Sequence, residues 1–547
     1  MPFTILQAGT ALQMLDKNYD FVSLTLPTNV QISSNLPARF TIFNRYVVMV
    51  NSVSRPIIID PEGNVFVLTP RKPGNLITLA GAAGGTLSGT YRVKATFVIK
   101  DTDGNIITES DFGPISAAAT ISSQWLRATN IPVSPDTSSM VVGGLRRIYR
   151  TTTGGSTYFP WIDLDGNTVT SIQDDLSDAS LSLVAAPTLG APPDLYLVAE
   201  FKKRLFGVGR NDKDTLYHSE ASKMYAWPAT NSFPIQPVGE DEQGVTALIR
   251  RRDELGVARR SAFHKIVPSG SGFGLLTITE GSGVESQESV VIIKDVGYYL
   301  GHAKGQFGIY KWDSAGVANI SDKQVQSWLN SDTYFDRAEF KNAFGRYNPV
   351  TNAYELHLKD KASGDDRWIS LDLNRMQFFG PHKTDAFIPR CTGHIVDSTN
   401  VIRAAIGGTN GFIYQMNMPT FEDEGYPIEF DVESPAFHAN APEIDHYWGE
   451  LSVLTRQEIA PNAGKLIVTP STGEIGQEVV DGVPTGKTTV VNLQEGDSME
   501  ADLTQSRHRL DRLGIGKVAK LRFYLKEIGK GVRIFGYELP FHELGRR

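Results

Sequence analysis

Apolar and polar residues alternate along this chain in short runs, and the runs are punctuated by turn-forming pairs. The clearest case is LYLVAEFKKRLFGVGRNDKDTLYHSEASKMYAWP (195–228). Two strand-like runs, LYLVAEF and RLFGVG, flank Lys202-Lys203, and a third, TLYHSEA, follows a Gly-Arg-Asn-Asp turn. That is one antiparallel meander of the size of a propeller blade. Residues 40–68 give TIFNRYVVMV, RPIIID and NVFVL, with a DPEGN turn between the last two. The cadence returns at 244–257, 289–313, 344–360, 367–380 and 403–417, roughly 40–50 residues per group, the repeat of a four-stranded blade. The count predicts five to seven blades. One helix is predicted, SDKQVQSWLNS (321–331), opening at a Ser-Asp cap with Val325, Trp328 and Leu329 on one face.

Between the first two groups the texture changes. Residues 74–90, rich in Gly and Ala, read as a linker. TYRVKATFVIKDTDGNIITESDFG (90–113) and GGLRRIYRTTTGGSTYFPWIDLDGNTVTSIQDD (143–175) are hairpins around Asp103-Gly104, Gly154-Gly155 and Asp165-Gly166, pairs that supply the positive φ of tight turns. Residues 88–182 are the size of a seven-stranded fibronectin- or immunoglobulin-like sandwich. From 426 onward, alternating strands such as GELSVLTRQEIA, KTTVVNLQ and AKLRFYLKEIG predict a second sandwich or jelly-roll-like domain. The expected fold class is all-β: a β-propeller with an inserted fibronectin/immunoglobulin-like β-sandwich and a C-terminal β-sandwich domain. The expected boundaries are 1–72 for an N-terminal segment and the first propeller blade or blades, 73–190 for the insert, 191–420 for the rest of the propeller and 421–547 for the last domain.

At 547 residues the chain is too long for one core. Its 41% hydrophobic and 21% charged content is that of a globular protein, and 51 glycines with 29 prolines suit many turns. The N-terminus MPFTILQAGTALQML lacks a basic region and a cleavage site, so no secretory signal is expected. No apolar run approaches the roughly 20 residues that span a bilayer, so stable membrane insertion is not expected. The single cysteine, Cys391, excludes an intrachain disulfide and a cysteine zinc cluster, and reads as a small core residue. A net charge of −8 argues against tight wrapping of nucleic acid but not against a passage through which DNA slides.

Motifs with chemical content are few. GVPTGKTT (482–489) ends like a phosphate-binding loop, but its glycines Gly482 and Gly486 are one residue too close and β-like TTVVNL follows where a helix is needed. DPEGN (60–64), DTDGN (101–105) and DLDGN (163–167) lack the later bidentate Glu of a calcium loop and read as hairpin tips. ASGDDRWIS (362–370) resembles an Asp-box turn, a structural feature. The ten histidines make no metal-ligand spacing, with His438 and His446 eight apart, and PSGSGFG (268–274) is a Gly-rich loop rather than a nucleophile elbow. No enzyme, metal or cofactor is therefore expected. The one cluster to weigh is Arg250, Arg251, Arg252, Arg259, Arg260 and Lys265. It is either a solvated turn or intersubunit salt-bridge patch, or a positive ring facing a channel once copies assemble.

The run LYLVAEFKKRLFGVG…DTLYHSEASKMYAWPA, the earlier RYVVMVNSVSRPIIIDPEGNVFVL, the hairpin GLRRIYRTTTGGSTYF and the closing GYELPFHELGRR together resemble a phage family. It is the nozzle, or tail tubular protein B-type, components of short-tailed bacteriophages, grouped with packaged-DNA stabilisation (tail accessory) proteins. The resemblance lies in cadence and phrase over most of the chain. It implies a structural virion protein of the tail, assembled in the host cytoplasm, six copies of which ring the DNA exit channel below portal and adaptor. The implied partners are its own copies, the adaptor or portal side, tail fibre or spike proteins, and double-stranded DNA passing without sequence preference. Gly-rich links at 81–90 and 268–274 are the expected gate. The competing readings are a receptor-binding or glycan-cleaving tail protein, with Trp161, Trp227, Trp312 and Trp368 stacking on sugars, and a cellular propeller scaffold.

Overall fold

The computed structural model describes residues 4–543 apart from 17, 29, 52, 54, 102–103, 137–143, 183, 237–243, 271, 332, 385–386, 397–400, 417–421, 424–425, 428–429, 435, 438–444, 456–463, 481–482, 504, 517 and 527–533. It falls into two compact units, residues 1–382 with 389–416, and residues 383–388 with 417–547.

In the first unit, apolar residues at alternate positions build antiparallel meanders whose two faces both meet neighbouring sheets. Seven such sheets are traced among the described residues. Blade 1 has the strands Thr4–Ala8, Ala11–Leu15 and Phe21–Ser23. Blade 2 is Arg39–Phe43, Tyr46–Val50, Ile57–Ile59 and Val65–Val67. Blade 3 is Leu195–Phe201, Arg204–Gly209, Thr215–His218 and Ser232–Pro234, and blade 4 is Val245–Arg250, Leu255–Arg259, Ala262–Ser269 and Gly272–Glu280. Blade 5 breaks its inner strand in two, Ser282–Val284 and Val291–Ile293, both paired with Val296–Ala303, followed by Gln306–Asp313 and Gly316–Asn319. Blade 6 is Phe344–Asn348, Ala353–Lys359, Asp366–Asp372 and Gln377–His382, and blade 7 is Pro389–Val396, Ile402–Gly408 and Ile413–Gln415. Leu15 of blade 1 packs with Ile395 and Ala405 of blade 7, and Thr4 Oγ1 donates to the His394 carbonyl at 2.8 Å. The last sheet therefore meets the first, and the propeller closes.

Several expectations change here. TIFNRYVVMV is two strands, because Asn44 takes a left-handed φ of 55° and reverses the chain. The groups at 344–360 and 367–380 are halves of one blade. Lys202-Lys203 (φ 48° and 60°) and Lys294-Asp295 (φ 49° and 66°) form two-residue turns without glycine, the left-handed pair of a type I′ hairpin. The predicted helix is Lys323–Asn330, capped by the Asp322 carboxylate accepting from Val325 N at 2.8 Å, with Val325, Trp328 and Leu329 buried against blades 5 and 6.

Between blades 2 and 3, seven strands form two sheets. One orders Ile106–Glu109, Val93–Lys100, Gly144–Thr151 and Tyr158–Asp165, and the other Ser171–Asp174, Ala119–Thr129 and Thr78–Tyr91. Tyr91, Leu126, Ile148 and Trp161 fill the space between them. The expected linker at 74–90 is thus largely the strand Thr78–Tyr91. Its glycines serve close approach rather than freedom: a Cβ on Gly85 would lie 2.1 Å from Trp125 N, where the opposite strand bulges between Ile121 and Trp125. Gly85→Ala is expected to destabilise the sandwich by about 1–3 kcal/mol, checked as selective loss of hydrogen-exchange protection over 78–129. Ile99 and Ile107 of the sandwich join Phe43 and Phe66 of blade 2 and Leu195 and Trp227 of blade 3 in one core. The insert is wedged onto the propeller.

In the second unit, one sheet joins Phe430–Glu433, Val518–Leu525, Lys465–Val480 and Val483–Glu495, with Met499–Asp502 at its side. The other joins Arg507–Gly516, His446–Thr455 and Ile534–Glu538, with Phe541–Glu543 beside it. Trp448, Leu451, Leu466, Leu521 and Phe523 form the core of this sandwich.

Candidate functional site

The basic cluster lies on blade 4, where the chain turns from Arg250 to Leu255 and runs back through Arg259. Five of its six members carry an ion pair within the chain. Arg250 reaches Glu200 of blade 3 at 2.9 Å, and buried Arg259 pairs with Asp214 of blade 3 while donating to the Ile235 carbonyl. On the other side, Arg251 holds Glu254 at 2.9 Å and Asp295 of blade 5 at 3.3 Å, with its guanidinium 4.9 Å from the centre of the Trp312 ring. Arg260 pairs with Glu285 of blade 5 at 2.8 Å, and Lys265 with Glu254 at 2.6 Å. Arg252 is exposed, and its backbone N–H donates to Asp295 Oδ1 at 2.8 Å. That bond, helped by Arg251, holds the Asp295 carboxyl below its ordinary value. The cluster staples blade 4 to both neighbours, and its outward-facing cations are Arg250 and Arg252.

The same end of blade 3 adds exposed Lys202 and Lys203, with Lys202 Nζ 2.7 Å from Asp253. In the sequence these lysines are only the polar pair between two strand-like runs. Their proximity to the blade 4 turn is a product of the ring.

A second arrangement occupies the propeller axis. Arg39, at the start of blade 2, donates its Nε to Glu288 at 2.7 Å and its Nη1 to the Tyr196 carbonyl at 2.8 Å. Glu288 stands between the two inner strands of blade 5. Blades 2 and 5 are not neighbours, so this pair bridges the centre of the ring.

The remaining motifs resolve into structure. Residues 483–495 are one strand with no helix after the Gly-Lys-Thr, so the anion site of a phosphate loop is absent there. Asp60 Oδ1 accepts from the N–H groups of Glu62 and Asn64, an Asx-type hairpin tip. Asp103 and His438 lie outside the described residues. The turn 268–274 is the tip between Ala262–Ser269 and Gly272–Glu280, so both expected gate segments belong largely to strands. In the Asp-box-like turn, Asp360 accepts from Ala362 N and Ser363 N. Trp161, Trp227 and Trp312 are buried core residues, and Trp368 lies between His357 and His382, so none of the four offers a free face to a sugar. Cys391 is exposed on the inner strand of blade 7 rather than in the core. No group of three or more His, Cys, Asp or Glu side chains placed to hold a metal occurs among the described residues. No helix is long and apolar enough to cross a membrane among them either.

The fold and these contacts define an all-β protein built on a propeller, with a β-sandwich inserted between blades 2 and 3. No protein-family model matches the chain, and no curated protein matches its sequence. Among solved structures it is similar to the β-propeller domain of the Trilobed protease from Pyrococcus furiosus, at 9% identity and a TM-score of 0.24 over 70% of this chain and 98% of that one. It is also similar to a putative TolB from Agrobacterium tumefaciens, at 12% identity and a TM-score of 0.21 over 39% and 76%. AztD from Citrobacter koseri matches at 11% identity and a TM-score of 0.23 over 60% and 94%. The architecture rests on the chain's own sheets and seams.

Proposed function

We propose that this chain is a structural subunit of a short-tailed bacteriophage tail, a nozzle protein whose copies ring the DNA exit channel. The observation that carries the reading is the mosaic of a propeller with a sandwich wedged into the core of blades 2 and 3, in the order of the phrases that resemble the nozzle family. The wedged insert makes a stiff wall of blades 2 and 3. The Arg39–Glu288 bridge across the propeller axis adds a geometric argument. A duplex does not thread one subunit, so a channel has to form between copies. The mechanism is mechanical: loops apposed around the lumen retain packaged DNA and part during ejection. Arg250, paired with Glu200 but exposed, and Arg252 are the outward-facing cluster members that would line that lumen, and ring symmetry multiplies each by the subunit number.

Mass photometry tests the proposal. The 60.0 kDa chain, alone or mixed with portal and adaptor proteins, is expected to give a species of six copies. Monomer under both conditions rejects it.

A further inference from the structure

Six of the seven seams are spanned by an apolar cluster among the described residues, and the seam between blades 6 and 7 is not. Blade 6 is two-faced because its strands alternate. Tyr354, Leu356, Leu358, Ile369 and Leu371 enter the core shared with blade 5. On the other face, Phe344, His357, Trp368 and His382 stand directly opposite one another across all four strands. Their rings follow at 4.5, 5.3 and 5.6 Å. His357 Nδ1 lies 2.6 Å from Asp366 Oδ2, and its Nε2 is buried without a partner. One row along, Glu355 accepts from Arg346 and, at 2.9 Å, from Asn348 Nδ2. Blade 7 brings Arg390 toward Asp366, and Thr392 Oγ1 donates to the Gly345 carbonyl at 3.2 Å. This is a titratable seam in a ring otherwise closed by apolar packing.

We propose that the seam between blades 6 and 7 is a protonation-controlled opening point of the propeller, closed while the His357–Asp366 pair holds a single proton. The groups facing the pair among the described residues are Arg346, Glu355, His382 and Arg390. Burial, against the pull of Arg390 and Arg346, pushes the Asp366 carboxyl up to about 8. Burial, then Arg346 and His382, hold His357 well below 6.5. Burial also lowers His382, against the pull of Glu355.

The sign follows from counting protons. In the opened seam the pair titrates at ordinary values near 3.8 and 6.5. Between those values, open and closed forms each hold one proton, so the pair contributes no slope. From 6.5 to about 8 the closed form keeps a proton that the open form has lost, and closure weakens as pH rises. Below 6.5 the depressed His382 favours the open form, so closure weakens as pH falls. Closure is tightest near pH 6.5.

Hydrogen exchange of the full chain at pH 6.5 and 8.5, corrected for intrinsic rates, tests this. Protection over Phe344–Asn348 and Pro389–Val396 is expected to fall on the order of ten-fold relative to Val245–Arg250 of blade 4. In Asp366→Asn the amide donates to His357 as the protonated carboxyl does, and the alkaline loss is expected to vanish. An equal change in all blades of the unaltered chain, or a loss that persists in Asp366→Asn, overturns the proposal. The wild-type comparison decides even if the variant does not fold. Ring assembly is a separate measurement, so failure of the nozzle reading leaves this one standing.

Discussion

Trp312→Ala is expected to destabilise the propeller by about 3–5 kcal/mol. Trp312 is 1% exposed and fills the seam between blades 4 and 5. Phe263 lies 5.0 Å away ring to ring, and Arg251 covers the indole from blade 4. Gly256 leaves the room, since a Cβ there would stand 2.8 Å from the indole. Truncation opens a cavity that rigid strands on both sides cannot collapse into, and it removes the platform under the Arg251 staple. A fall in the urea midpoint read by far-ultraviolet circular dichroism checks it. A Trp312→Ala chain of native stability would return this residue to the surface aromatics that a glycan-binding reading needs.

Glu355→Ala is expected to cost about 3–5 kcal/mol, for an electrostatic reason. Glu355 is 4% exposed and accepts from Arg346 and Asn348. Its removal leaves the Arg346 guanidinium buried without its counter-charge, beside His357 and Asp366. Glu355→Gln, which keeps the shape and an acceptor, is expected to lose less, about 1–3 kcal/mol. Thermal unfolding of both variants against the parent checks the order. Equal stability of all three would show that Arg346 is solvated rather than held in the seam.

Much of the blade architecture is legible in the chain. Leu195–Phe201 and Arg204–Gly209 fall where the alternating runs end, and Asp322 caps the helix as its position before Lys323 suggests. The misses have specific causes. A strand of Gly, Ala and Ser such as Thr78–Tyr91 carries no hydrophobic alternation, and its glycines answer to Trp125 on another strand. Blade 1 was legible only as an N-terminal segment, because what makes it a blade is Ile395 and Ala405, some 390 residues away. The basic cluster was visible as charge, while its carboxylate partners Glu200, Asp214, Glu285 and Asp295 come from adjacent blades.

Local alternation and turn chemistry alone determine that this chain is all-β, propeller-bearing and interrupted by a sandwich. Period-two patterning and left-handed turn positions are properties of neighbouring residues. The tertiary structure alone decided that blade 1 closes on blade 7, that Arg39 meets Glu288 across the axis, and that His357 and Asp366 share a buried seam. Each of these depends on which faces meet when the ring closes. Charge, burial and proton affinity follow from that meeting and have no signature in the order of residues.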